Sequence, residues 1–273
     1  MADEVPFVTI AIPHWEVEEL IRLCLRSIRL HWPEFPVEVL VVDNGSKDQS
    51  LEYLRSLSWI RLIERKDPGP GSWVDQFATA LDLGVQEGRG KYFLALHSDV
   101  IILKSGWLDQ LVQPLEKNSG IASSGMDKLE QPPLWYQWLR KIDFKKFRLW
   151  IKKNLGLEKN PPPKRYRCPR DFCALYRREV LEAFQMSFLP KVPITPGEWM
   201  HLQLLSQGFQ TKMLPVPTMM EYLLHLGHGT AGIQREKRRL PKKSSQKKVE
   251  RRLQRILQSD YVQELLSRHD LDD

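Results

Sequence analysis

Five short clusters in this 273-residue sequence gather the side chains able to do chemistry. Pro13, His14 and Trp15 follow one apolar run, Asp43, Asn44, Gly45 and Ser46 follow a second, and His97, Ser98 and Asp99 follow a third. Glu198 opens a segment that ends at Gly208, and His225, Leu226, Gly227, His228, Gly229 and Thr230 form a loop of histidines among glycines, a composition that packing does not explain. Imidazoles and carboxylates hold cations, carry protons and accept hydrogen bonds. The three cysteines, Cys24, Cys168 and Cys173, show no metal-ligand spacing and fit a reducing compartment. No Gly-x-Gly-x-x-Gly follows the first strand, which sets a dinucleotide dehydrogenase aside.

The elements that must position these clusters follow from periodicity. Phe7 to Ile12 reads as a buried strand that Pro13 ends, and Leu20, Ile21, Cys24, Leu25 and Ile28 recur at helical spacing between Val17 and Leu30. Val37 to Val42 reads as a second strand, nearly unbroken in apolar character, as in a parallel sheet covered on both faces. Ser46 with Gln49 predicts a capping box for a helix striped by Leu51, Leu54 and Leu57. A short strand over Trp59 to Ile63 leads through a Pro68 to Gly71 turn into a helix capped by Ser72 and running to about Gln86, then a strand over Lys91 to Leu96. This alternation predicts an α/β fold with a right-handed, mostly parallel sheet. Such sheets bind ligands beyond the carboxyl ends of their strands, where three of the polar clusters fall. The second half is less regular: a helix near Trp107 to Leu115, strands near Ile121 and over Phe172 to Tyr176, and helices from Arg178 and over Glu198 to Ser206.

Charge is unevenly spread. Arg140 to Arg170 carries twelve basic and two acidic residues and Arg235 to Arg255 eleven and two, so that a chain of net charge +7 has a body of −12 outside these strips. Each strip suits an anionic partner. The first, with its leading flank, also holds Trp135, Tyr136, Trp138, Phe144, Phe147 and Trp150, a mixture that would serve an anionic membrane surface, base stacking, or a solvated cover over the core. No apolar run approaches the length of a membrane span, and MADEVPFVTI lacks the basic start of a secretory signal, so the expected location is cytoplasmic, with peripheral attachment at the inner face of the membrane.

The runs VTIAIPHW, VEVLVVDNGSKDQS, ALDLGV and KYFLALHSDVIIL resemble the nucleotide-binding half of family 2 glycosyltransferases, closely over about 100 residues and loosely over about 225. The resemblance implies a GT-A fold, Rossmann-like, to which the residues of this chain add a basic aromatic insertion and a basic helical C-terminal tail. Its implied organisation is a domain over 1–230, divided into a nucleotide-binding half (1–104) and an acceptor-side half (105–230) with an insertion over 127–170, then an extension over 231–273.

The resemblance also implies roles. Asp43 matches the carboxylate that binds the donor base, Pro13, His14 and Trp15 the loop that cradles the nucleoside, and Asp82 stands where the family usually has Asn. His97, Ser98 and Asp99 occupy the Asp-x-Asp position with histidine replacing the first carboxylate, which makes Asp99 the main ligand of a divalent Mn²⁺ or Mg²⁺, His97 a second, Ser98 a nucleotide contact, and His225 the late histidine that returns to the metal. Glu198 fits the general base, with His201 in reserve, and Arg177 or Arg178 would reach the diphosphate. The implied reaction is inverting transfer from a nucleotide-sugar donor to a glycan or lipid-linked acceptor. A binding protein that has lost activity is the alternative, supported by His97 and by Trp199 where an Asp is usual; a nucleic-acid-binding module is a third reading, although no such motif is present and no nucleic-acid partner is expected.

Overall fold

In the computed structural model, residues 5–69, 71–127, 167–227, 233 and 243–273 are described, the last stretch with side chains from 249. Strand alternation explains the layering. In β1 (Val8–His14) every residue is buried, Ile10 and Ile12 into one apolar cluster and Ala11 into another, so both faces of the sheet need a roof. The first face is covered by α1 (Glu18–Leu30), α2 (Ser50–Ser56) and α4 (Trp107–Lys117). The second is covered by α3 (Trp73–Glu87), α5 (Arg178–Ala183) and α6 (Pro196–Ser206). Packing of α3 on β1 is close enough that a methyl group at Gly84 would lie 3.1 Å from Ala11 Cβ.

With β2 (Val37–Asp43), β3 (Ile60–Glu64), β4 (Tyr92–Leu96), β6 (Ile121–Gly125), β7 (Cys173–Arg177) and β8 (Gln210–Met213), the sheet has seven strands in the order β3-β2-β1-β4-β7-β6-β8. Only β7 runs against its neighbours. This is the mostly parallel α/β sheet that the alternation of elements predicts, and it has the GT-A-like form that the family resemblance implies. The register pairs His14 with Asp43 and Leu96 with Cys173, so the ends of β1, β2 and β4 and the start of β7 lie along one edge.

Two local expectations divide. Ser72 caps α3 in a capping box closed by Asp75. Ser46, in contrast, caps nothing: α2 starts four residues later behind Gln49 without a side-chain cap, because the Ser46 hydroxyl is taken by Asp43 and by the Glu16 amide.

A second sheet had no counterpart in the sequence reading: β5 (Val100–Ile102) pairs antiparallel with β9 (Leu223–His225), which follows the single turn α7 (Val216–Met219). Nor does the described part of the C-terminal extension stand apart. Residues up to Leu129 and from Cys168 onward make one compact unit, within which α8 (Lys243–Leu257) and α9 (Asp260–Ser267) join Leu253, Val262, Leu265 and Leu271 to Val17, Leu20, Leu23, Ile101 and Leu226. The remaining unit, Glu130–Arg167, covers most of the expected insertion, and the aromatic strip lies outside the described residues. Among the described residues no helix is long and apolar enough to cross a membrane.

The extension is tied down by charge. Arg26 on α1, fully buried, donates to both carboxylate oxygens of Asp272 and to the carbonyls of Leu265 and Leu266, while Tyr53 donates to Asp272 at 2.8 Å. Removing one partner strands the other. Asp272→Ala is expected to lower unfolding free energy in urea by about 3 kcal/mol, and the double change Arg26→Met, Asp272→Leu to recover much of it.

Candidate functional site

The two turns after β1 and β2 build one another. Glu16 (φ 51°) and Val17 (φ 64°) are left-handed, an unfavourable state for a β-branched residue that persists only when its surroundings impose it. The second turn imposes it: Glu16 N donates to Ser46 Oγ at 2.7 Å and Val17 N to Asp48 Oδ2 at 2.7 Å. Asp43 holds that turn by accepting from Gly45 N and Ser46 N, both at 3.0 Å, with Gly45 supplying the left-handed φ of 77°. Arg65 adds a brace, donating to Asn44 Oδ1 at 2.6 Å and to the carbonyls of Pro68 and Gln76.

His14 lies beneath these turns, 1% exposed, and among the described residues neither ring nitrogen has a hydrogen-bond partner. Burial drives its pKa down to about 4, against the opposing pull of Asp43, Asp48 and Glu16. The ring is therefore neutral at pH 7. Pro13 is buried and Trp15 half-buried beside it.

At the end of β4, His97, Asp99 and His225 converge. Each offers one ligand atom and these atoms lie within 4.8 Å of one another; Asp99 Oδ1 is 3.2 Å from His225 Nε2 and 3.6 Å from His97 Nδ1. Ser98 is half-buried in the turn between. Burial alone would raise the Asp99 pKa, but His225 and His97 outweigh it and hold the carboxyl well below its usual range. The His225 ring stacks on Phe172 at 4.3 Å with 6° between planes, and the Phe77 ring meets the His97 ring edge-on at 4.8 Å. Main-chain bonds fix the frame: His97 N to Phe172 O (2.9 Å) and Leu226 N to Asp99 O (3.0 Å). Two imidazoles and one buried carboxylate fit a borderline divalent cation such as Mn²⁺ better than Mg²⁺, which demands oxygen.

Glu198 lies in the first turn of α6. Its amide is capped by Thr195 Oγ1 at 3.3 Å, and Gly197 packs so tightly on the turn before Phe172 that a Cβ there would lie 3.0 Å from both Pro169 O and Asp171 N. His201 is buried inside the same helix and bonds Thr211 Oγ1 through Nδ1 at 3.0 Å. The Gly229 and Thr230 end of the histidine loop, with His228, lies outside the described residues.

Three residues fall elsewhere. Asp82, expected at the nucleotide, is turned to Ser187 Oγ (2.6 Å) and Phe188 N (2.7 Å), tying α3 to the segment whose Phe188 packs on Phe93 and Tyr176. Arg177 and Arg178 sit at the opposite end of the sheet, because β7 is antiparallel and Arg177 pairs with Tyr92; their guanidiniums serve the carbonyls of Ile121 and Gly90 instead of a diphosphate. Sequence reasoning also missed four residues that hold the site: Ser46 in its bracing role, Asp48, Phe172 and Arg252, whose Nη2 donates to His225 O at 2.7 Å. Only the apolar stripe of the C-terminal helix hinted at the last, by placing Arg252 beside Leu253.

The family description "Glycosyl transferase family 2" matches residues 9–184. The chain belongs to this family. The matched span takes in the turns after β1 and β2, His97 and Asp99, and ends before Glu198 and His225. Among curated relatives, an uncharacterized glycosyltransferase of Haemophilus influenzae is 28% identical over 120 residues, 44% of this chain and 36% of that protein. Glycosyltransferase AglE of Haloferax volcanii is 32% identical over 133 residues, 46% and 39% of the two chains. The chain thus spans well under half the length of these relatives. The mannosyltransferase PcManGT of Pyrobaculum calidifontis, solved with GDP-Man and Mn²⁺, shares the fold at a TM-score of 0.55, with 20% identity over 78% of this chain and 56% of that one.

The buried His14 gives this family member a pH signature. Its folded pKa lies below the unfolded value, so the unfolded state takes up a proton first as pH falls through 6.5, and the stabilisation is lost progressively down to about 4. Between pH 7 and pH 5 the wild type should lose about 2 kcal/mol more than His14→Gln, measured by denaturant unfolding at both pH values.

Proposed function

We propose that the chain is a glycosyltransferase that takes a sugar from a nucleoside diphosphate donor and passes it, with inversion, to a hydroxyl of a glycan or lipid-linked acceptor. The observation that carries this reading is the convergence of His97, Asp99 and His225 on the sheet edge where the β1 and β2 turns end. Support comes from the family and from the likeness to PcManGT, a protein that was solved with a nucleotide sugar and a cation.

In this reading Asp99, His97 and His225 hold a divalent cation, best Mn²⁺. The cation supplies Lewis acidity that neutralises charge on the leaving diphosphate. Pro13, His14, Trp15, the Asp43 turn and Ser98 enclose the nucleoside, with neutral His14 offering one donor and one acceptor. Glu198 takes the proton of the acceptor hydroxyl as its oxygen bonds the anomeric carbon from the face opposite the diphosphate, and the carbon–oxygen bond to the diphosphate breaks. Asp82 lies outside this scheme because its carboxylate is committed to Ser187 and Phe188. The basic aromatic strip around Trp135 to Lys153 would hold the enzyme against an anionic membrane surface, each nearby Lys or Arg adding about 1 kcal/mol, and flotation with anionic vesicles at low salt is expected to carry the protein upward.

A thermal-shift screen of nucleoside diphosphates and nucleotide sugars tests the site. One base series should stabilise the protein in the presence of Mn²⁺, and Asp99→Ala should abolish that shift. Glu198→Gln should keep the donor-induced shift while transfer falls roughly 10²- to 10⁴-fold. No stabilisation by any nucleotide, or a shift untouched by Asp99→Ala, defeats the reading; binding without transfer or donor hydrolysis would leave a nucleotide-sugar-binding protein.

A further inference from the structure

The ladder that carries two of the three cation-site residues is small. The strands β5 and β9 have three residues each and among the described residues pair only with one another, and a two-stranded ribbon of this size is marginal on its own. Asp99 immediately precedes β5 and His225 closes β9. Something outside the ladder must hold it.

The C-terminal helices grip both strands by their carbonyls. Tyr261 on α9 donates its hydroxyl to Ile102 O, the last residue of β5, at 2.6 Å, and Arg252 on α8 donates Nη2 to His225 O, the last residue of β9, at 2.7 Å. Below them Ile101 and Leu226, the residue after His225, are buried with Leu253, Val262, Leu265 and Leu271. The helices in turn are locked to α1 and α2 by Arg26, Tyr53 and Asp272. A charged donor to a half-buried carbonyl is stronger than a neutral one, and Arg252 differs in this from its exposed neighbours Arg251 and Arg255.

We infer that Arg252 is a positioning residue for the cation site: by fixing the main chain at His225 it aims Nε2 at Asp99, and the basic C-terminal helix is thereby a working part of the transferase centre. The inference rests on the cation-binding reading of His97, Asp99 and His225. The His225 ring is clamped on one side by its stack with Phe172, so a shift of its backbone moves the nitrogen relative to Asp99. Residues that orient metal ligands in this way change metal affinity by roughly 10- to 100-fold when lost.

The test uses the full chain and Mn²⁺ alone, with free Mn²⁺ read by electron paramagnetic resonance and thermal unfolding followed in parallel. Arg252→Met keeps the apolar stem and removes the donor. It should weaken Mn²⁺ binding roughly 10-fold or more, Arg252→Lys should recover a large part, and Arg255→Ala should bind as the wild type does. If Arg252 acts through His225, adding Arg252→Met to His225→Ala should change affinity by less than about twofold. Unaltered Mn²⁺ affinity in Arg252→Met overturns the inference. So does an equal loss with and without His225, the mark of a general effect on folding. Failure of the wild type to bind Mn²⁺ would instead remove the cation-binding reading and this inference with it, so the two failures are told apart by the wild-type titration.

Discussion

A carboxylate stays charged inside a protein only if something positive, or a dense set of donors, faces it. Asp99 is 7% exposed, and burial acts to neutralise it. The two imidazoles at 3.2 and 3.6 Å reverse that tendency, and they can do so only because three stretches of chain distant in sequence meet at one point. His97 and Asp99 come from the end of a parallel strand, His225 from a ribbon paired beside it, and Phe172 from the antiparallel strand that starts at the same edge. In the proposed reading, a divalent cation held by these three residues would supply the positive charge that faces Asp99. The site is thus electrostatically prepared for positive charge, and the surrounding fold serves to keep the three ligands within reach of one another.

The same economy of long-range bracing governs the turns after β1 and β2. Left-handed Glu16 and Val17 do not arise from their own residue types, since glycine or asparagine would serve such positions better. They are held by Ser46 and Asp48 from the next turn, and that turn by Asp43. The strand ends are therefore coupled: His14 and Asp43 sit opposite one another in register, and the loop after each strand satisfies the polar groups of the other. His14 is desolvated beneath this lattice, which keeps it neutral.

Much of the scaffold was legible in the residues because it depends on local rules. Apolar runs gave the parallel strands, helical spacing gave α1 and α2, and the Ser72 cap of α3 was correct because a capping box spans only three residues. Ser46 obeyed the same local pattern and did something else, since Asp43 and Glu16 compete for its hydroxyl. Asp82, Arg177 and Arg178 were drawn toward the ligand by motif position alone. The antiparallel direction of β7, and a buried carboxylate's need for nearby donors, sent them elsewhere. The cluster of His97, Asp99 and His225 was expected from family resemblance; the ribbon that joins them was not, since three-residue strands leave almost no periodicity to read.

What the sequence by itself determined is the alternation of strand and helix, the edge on which the polar turns emerge, and the residue types available there. Family membership rests on those same runs. Tertiary structure alone decided the partners: Arg26 with Asp272, 246 residues away, and Arg252 with the His225 carbonyl, 27 residues away on another element. The reason is physical. Burial and backbone periodicity are imposed by each segment's own pattern, whereas the fate of a charged or polar side chain depends on which donors and acceptors the packed layers bring within about 3 Å of it.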